Sequence, residues 1–230
     1  MSRKAVVFDL DGTLVDSLPD LTAALNKMLE GAGRRLLTEG EVRLMIGDGT
    51  RALVRRALLA TSSSDQPGAN APALIEASDF ENVHRQFQRA YEADLTNRSR
   101  LYRGVKETLA ALNHRGFRLG ICTNKQQRAT LAVLQGFGIL SYFTAVVGGD
   151  ATKYRKPDPR HLLAVLDQLN VTPNESVMVG DNENDYAAAQ EAGTAAILMR
   201  YGYLRVAPET LSPDAWLDEF GEIPQTIAVL

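Results

Sequence analysis

Five short apolar runs, each stopped abruptly by polar residues, constrain this chain more than any other feature. They are AVVFDL from Ala5, RLGICTN from Arg118, AVVGGD from Ala145, SVMVGDN from Ser176 and AAILMR from Ala195. Each is rich in valine, isoleucine or leucine and lacks strict alternation, the pattern of strands buried on both faces of a parallel sheet. Helical segments lie between most of them. GVKETLAALNHRG has Gly116 as its C-cap, and QQRATLAVLQGFG follows the next strand. PRHLLAVLDQL opens with Asp158 as N-cap and Pro159 at the first helical position, and NDYAAAQEAG ends in Gly193. Alternating strands and helices predict right-handed crossovers and a doubly wound, Rossmann-like α/β fold around a parallel sheet.

The stretch between the first and second strands is too long for one crossover and reads as mostly helix. Ser17 and Asp20 fit a capping box, with Leu21, Leu25, Met28 and Leu29 on one apolar face. A second helix is expected over Thr50 to Ala60 and a third from Phe80 through Tyr91, with a Ser/Pro/Gly/Ala-rich surface loop between them. The predicted organisation is an α/β core of residues 1–16 and 97–230, interrupted by a small helical lobe of residues 17–96.

The 230 residues suffice for a core with a second lobe, and 45% hydrophobic with 23% charged residues is ordinary for a globular protein. A net charge of -3 supplies no basic field, so neither nucleic acid nor membrane is an expected partner, and an anionic ligand must be attracted locally. No apolar run approaches the roughly 18–20 residues of a membrane span. The N-terminal MSRKAVVFDLDG lacks the length and cleavage pattern of a secretory signal. Cys122 is the only cysteine and reads as a small buried apolar residue. These points favour a reducing, cytoplasmic setting and leave the oligomeric state open.

Ligands of parallel sheets bind beyond the carboxyl ends of the strands. Polar groups stand there after four of the runs: Asp9 and Asp11; Thr123 and Asn124; Lys156; then Asp181, Asn182, Glu183 and Asp185. Asp9, Asp11 and Asp181 are hard oxygen donors with little nitrogen or sulfur nearby, a set that suits Mg²⁺. A divalent cation offsets the repulsion of desolvated carboxylates, Lys156 adds positive charge, and the site can then accept a dianionic phosphate. Thr123 and Asn124 are expected at a helix N-terminus, where N–H groups and the dipole favour an anion. Hydrolysis of a phosphate monoester can use one carboxylate to attack phosphorus and a second to protonate the departing alcohol. Asp9 and Asp11 suit these two roles, because a turn at Gly12 can re-aim the second acid.

FDLDGTLVDS, TN after an apolar strand, KPDP and VGDNEND, in that order, resemble the motifs of the haloacid dehalogenase superfamily of aspartate-nucleophile phosphatases. The resemblance implies Asp9 as nucleophile, Asp11 as general acid/base, Thr123 and Asn124 on the phosphoryl group, and Lys156 as charge clamp. It implies an ion held by Asp9, the backbone carbonyl of Asp11 and Asp181, with Asp185 an outer partner of the metal or the lysine. The second acid is one that phosphatases and phosphomutases need and dehalogenases do not. The helical insertion resembles the family's small cap, which closes over substrate. More narrowly, DGTLVDSLPDLTAALNKML, IGDGTRALVRRAL and RYGY resemble the phosphoglycolate phosphatase branch. Two departures are Asn182, where the family has serine, and a longer loop over residues 61–78.

The resemblance thus implies a Mg²⁺-dependent phosphomonoesterase acting on a small organic phosphate ester, phosphoglycolate first. The alternatives are a sugar-phosphate or amino-sugar-phosphate phosphatase, a phosphomutase, and a non-catalytic binding protein. Gly47 to Ala52, GDGTRA, match a dinucleotide pattern, but no βαβ unit surrounds them. The stronger readings are a cap loop in which Arg51 meets a substrate carboxylate and a plain helix start. Asp16 is expected to bond backbone in the turn after the first strand, and Lys125 either joins the site or only decorates a helix start. His84, His114 and His161 show no metal-ligand spacing and read as surface or packing residues. Trp216 reads as an apolar anchor of the C-terminal segment.

Overall fold

The computed structural model describes residues 3–62 and 77–230. Most of the loop read over residues 61–78 therefore lies outside the described residues. The strands are β1 (Ala5–Phe8), β2 (Val15–Asp16), β3 (Arg100–Leu101), β4 (Arg118–Cys122), β5 (Ala145–Val147), β6 (Ser176–Gly180), β7 (Ala195–Met199) and β8 (Ala215–Leu217). The helices are α1 (Leu18–Gly31), α2 (Glu39–Arg43), α3 (Thr50–Ala60), α4 (Ala77–Glu92), α5 (Val105–His114), α6 (Gln127–Gly136), α7 (Pro159–Leu169), α8 (Glu183–Ala192) and α9 (Ile223–Ile227). The chain divides into two compact units, one of Met1–Ser17 with Arg100–Leu230 and one of Leu18–Ser99.

In the first unit six parallel strands lie in the order β5-β4-β1-β6-β7-β8. Val7 of β1 is level with Gly120 of β4 and Met178 of β6. Every β1 residue is buried, as a strand covered on both faces requires. From β1 the chain visits β4 and β5 on one side, then returns to β6 on the other, so the strand order reverses beside β1. Open α/β sheets form their ligand crevice beyond the carboxyl ends at such a reversal.

Side chains of adjacent strand residues point to opposite faces. Val7 joins a cluster with Cys122, Met178 and, from α7, Leu162, Val165 and Leu166. Each fully buried aliphatic side chain of this kind contributes about 1.5–3 kcal/mol of transfer free energy. Phe8 packs instead with Phe143 and Phe220, ring centroids 6.3 and 5.7 Å away. Asp158 caps α7 by accepting the Arg160 N–H at 3.0 Å, with Pro159 in the first turn. Two features add to the sequence reading: the antiparallel ribbon of β2 with β3, and the edge strand β8. Trp216 lies on β8, half-buried, with the Arg200 guanidinium 5.1 Å from its ring centroid.

The second unit is helical throughout its described residues outside loops. α1 buries Leu21, Leu25, Met28 and Leu29 and packs against α4, where Phe87 and Tyr91 stack at 5.7 Å. The expected capping box of Ser17 with Asp20 is corrected. Asp20 accepts from the N–H groups of Arg98 and Ser99 at 3.0 and 2.8 Å and from the Ser99 hydroxyl at 2.5 Å. Ser17 Oγ makes no hydrogen bond. A buried carboxylate finds more donors in the 98–99 turn than one N–H at its own helix start can offer. A capping box does form on α2, between Thr38 and Glu41. GDGTRA opens α3, and among the described residues of this unit no strand precedes it. No helix among the described residues is long and apolar enough to cross a membrane.

Candidate active site

Asp9 continues the course of β1, its N–H bonded to Val179 O at 2.9 Å. The next turn folds back on itself, with the N–H groups of Leu14 and Val15 both 3.0 Å from Leu10 O and the Gly12 N–H 2.8 Å from Val15 O. Gly12 has φ +92°, and a β-carbon there would lie 2.3 Å from Asp181 Oδ2. Both the conformation and the close approach therefore call for glycine. After β6, Asn182 caps α8 by accepting the Asn184 N–H at 2.9 Å. Asp185 reaches back to the N–H groups of Asp181 and Asn182 at 3.0 and 3.2 Å. Asn182, where the family has serine, thus serves as the N-cap of α8. A β-carbon on Gly180 would lie 2.2 Å from Asp185 Cβ, so this glycine makes room for the acid.

Asp9, Asp181 and Asp185 each offer a carboxylate oxygen, and these atoms lie within 4.8 Å of one another. Lys156 Nζ stands 2.8 Å from Asp9 Oδ1 and 2.6 Å from Asp185 Oδ1. All of these side chains are buried. The oxygens of Asp185 are engaged by Lys156 and by the N–H groups of Asp181 and Asn182. Asp181 accepts from the Thr13 hydroxyl at 2.8 Å and the Tyr203 N–H at 2.6 Å. Asp9 Oδ1 differs: its contact with Lys156 is an ion pair without hydrogen-bond alignment, and the atom has no hydrogen-bond partner.

Burial pushes the Asp9 carboxyl up to about 6, against the pull of Lys156. Burial likewise lifts Asp181 well above the usual carboxylate range, with the charges of Asp185 and Asp9 adding to it. For Lys156 burial opposes the charge, but Asp185 and Asp9 outweigh it and raise the pKa. Burial pushes the Cys122 thiol up to about 12, the environment of an inert core cysteine.

Asp11 stands apart from the buried acids. Both of its carboxylate oxygens meet Lys125 Nζ, at 3.0 and 3.1 Å. Thr123 and Asn124 are buried at the end of β4, where Asn124 Nδ2 donates to Lys156 O at 2.9 Å and so ties two of the loops together. Their expected place at a helix N-terminus is corrected. α6 begins only at Gln127, and its N–H is taken by Asp150 Oδ1 at 2.7 Å. Asp16 accepts from the Tyr203 hydroxyl at 2.8 Å, and the same hydroxyl receives the Ser17 N–H at 3.0 Å.

Arg51 lies in the other unit, where both ends of its guanidinium meet Glu81, at 2.9 and 2.5 Å. To read a substrate carboxylate it would first have to leave Glu81. Of the histidines, His84 and His161 are buried and His114 is exposed. Lys125 is the site residue that sequence alone leaves undecided, since its partner is 114 positions away.

Four carboxylates meet two ammonium groups here, which leaves two negative charges uncompensated. Oxygen-only donors, that imbalance and the unbonded Asp9 Oδ1 fit a hard divalent cation.

Fold and site together define a haloacid dehalogenase-like hydrolase. The sequence model of that family matches residues 6–199, and the chain belongs to it. It is a phosphatase. A phosphoglycolate phosphatase of Rhodospirillum rubrum is 40% identical over 225 residues, covering 96% of this chain and 89% of the relative. A crystal structure from Haemophilus somnus, described as a predicted phosphoglycolate phosphatase, superposes with TM-score 0.90 at 34% identity over 98% of each chain. CbbY from Rhodobacter sphaeroides, solved in complex with phosphate, superposes with TM-score 0.77 at 26% identity over 96% of each chain.

Proposed function

We propose that this phosphatase hydrolyses phosphoglycolate through an aspartyl-phosphate on Asp9, with Mg²⁺ as cofactor. The observation that carries the reading is Asp9 Oδ1, which lies 2.8 Å from Lys156 in a buried acidic group yet has no hydrogen bond to occupy it. Asp9 attacks phosphorus, the P–O bond to the alcohol breaks, and Asp11, which enters this step in its protonated form, gives its proton to the departing oxygen. Water then attacks the same phosphorus, yields its proton to Asp11, and frees Asp9 and inorganic phosphate. Lys156 balances charge on the phosphoryl oxygens, and Thr123 and Asn124 line their position. Asp9, Asp181 and the main-chain carbonyl of Asp11 would hold the cation, while Asp185 fixes Lys156. When bound, Mg²⁺ offsets the negative charge of the carboxylates and of the phosphoryl oxygens. The helical unit serves as the cap that selects the alcohol part.

The choice of phosphoglycolate is supported by the relatives from R. rubrum and H. somnus that carry its name. The test is kcat/KM, with Mg²⁺, for phosphoglycolate against hexose phosphates and amino-sugar phosphates. Phosphoglycolate is expected ahead by more than about tenfold, or about 1.4 kcal/mol of transition-state stabilisation. A sugar phosphate turned over faster would overturn the substrate assignment. An isomer appearing without free phosphate would overturn hydrolysis in favour of phosphoryl transfer within the sugar.

A further inference from the structure

The reaction above gives Lys125 no task, yet its side chain is 3% exposed, close to the 2% of Lys156. Lysine is almost never so buried unless paired. Its Nζ spans the Asp11 carboxylate, 3.0 Å from one oxygen and 3.1 Å from the other. Asp11 is also the most accessible of the site's acids, with a side chain 16% exposed against 8% for Asp9 and 0% for Asp185. The main chain of Lys125 is itself held, its N–H 3.3 Å from Thr123 Oγ1 and its carbonyl 2.7 Å from the Gly149 N–H. The ammonium is therefore presented from a braced segment.

We propose that Lys125 is a positioning residue that sets the direction of the Asp11 carboxylate, keeping it turned away from Lys156 and available to the leaving oxygen. The inference rests on the acid/base role proposed for Asp11. A carboxylate released from one ammonium is drawn to the other buried ammonium of the site, Lys156, and there it cannot reach a departing alcohol. The consequence depends on the ester. An alkyl alcohol leaves only with a proton, whereas 4-nitrophenolate leaves without one.

The experiment compares the full-length protein with Lys125→Met, Lys125→Arg, Asp11→Asn and the double variant Lys125→Met/Asp11→Asn, all with Mg²⁺. Substrates are the best alkyl phosphate of the panel above and 4-nitrophenyl phosphate. Lys125→Met is expected to lower kcat for the alkyl ester by about 10²-fold, the effect of a misplaced group, with KM and inhibition by inorganic phosphate little changed. The 4-nitrophenyl ester should lose far less, Lys125→Arg should recover part of the loss, and Lys125→Met should cost nothing further in the Asp11→Asn background. The ratio between the two esters is internal to each variant, so a smaller folded fraction does not move it. Equal loss for both esters with weaker phosphate inhibition would overturn the inference and make Lys125 a phosphoryl ligand. Additive losses in the double variant would overturn it as well. Normal alkyl-ester turnover by Asp11→Asn would instead remove the acid/base role of Asp11, and the inference with it.

Discussion

Gly12 and Asp181 touch: a β-carbon added to Gly12 would lie 2.3 Å from Asp181 Oδ2. With φ at +92° the residue also sits where side chains are strained, at a cost on the order of 1–3 kcal/mol. Gly12→Ala is therefore expected to lower the melting temperature and to weaken Mg²⁺ activation of turnover, because Asp181 must move. Gly138→Ala is the control, since φ there is +67° with nothing within 4 Å. It should lose stability and keep its Mg²⁺ response. Matching Mg²⁺ titrations for the two variants would remove the close approach from the account.

Asp9 opposes folding at neutral pH. Burial raises its carboxyl from 3.8 to about 6, so the folded state holds this proton more tightly than the unfolded chain. The stability that results is complete below 3.8 and lost as pH rises through 6. In EDTA, Asp9→Asn should therefore gain stability relative to the parent as pH rises from about 4 through 6. Added Mg²⁺ should narrow the difference by binding the ionised carboxylate. Denaturant titrations across the pH range measure it, and a pH-independent difference would contradict the assigned direction.

The five runs that announce β1 and β4 to β7 are legible because each is continuously apolar, as a strand covered on both faces allows. β8 is not, because AWL is a three-residue run set between Asp214 and Asp218, and β2 and β3 are two residues each. The acids and Lys156 could be read because each stands at the end of a recognisable strand or in the loop after it. Lys125 could not be decided, since a lysine before a helix looks the same whether it meets water or a carboxylate 114 residues away. Asp20 misleads for a similar reason: its own helix offers a local partner, but the donors it meets are 78 and 79 residues on.

Asp20 holds the end of its unit rather than the start of α1. Asp20→Ala leaves the N–H groups of Arg98 and Ser99 without their carboxylate and should cost about 1–3 kcal/mol in urea unfolding. Ser17→Ala removes a hydroxyl that makes no hydrogen bond and should change stability by less than about 0.5 kcal/mol. The reverse ranking would restore the local cap.

Asp9 is expected to carry the phosphoryl group between the two steps, and a covalent phosphate can be read directly. Asp11→Asn, mixed with 4-nitrophenyl phosphate and quenched in acid, should hold a covalent phosphate, because the leaving group departs unaided while the water step lacks its base. Peptide mass spectrometry is predicted to find that phosphate on Asp9, labile to hydroxylamine, and absent from Asp9→Asn/Asp11→Asn. Phosphate on another residue, or steady release of product with no covalent adduct at any quench time, would contradict it.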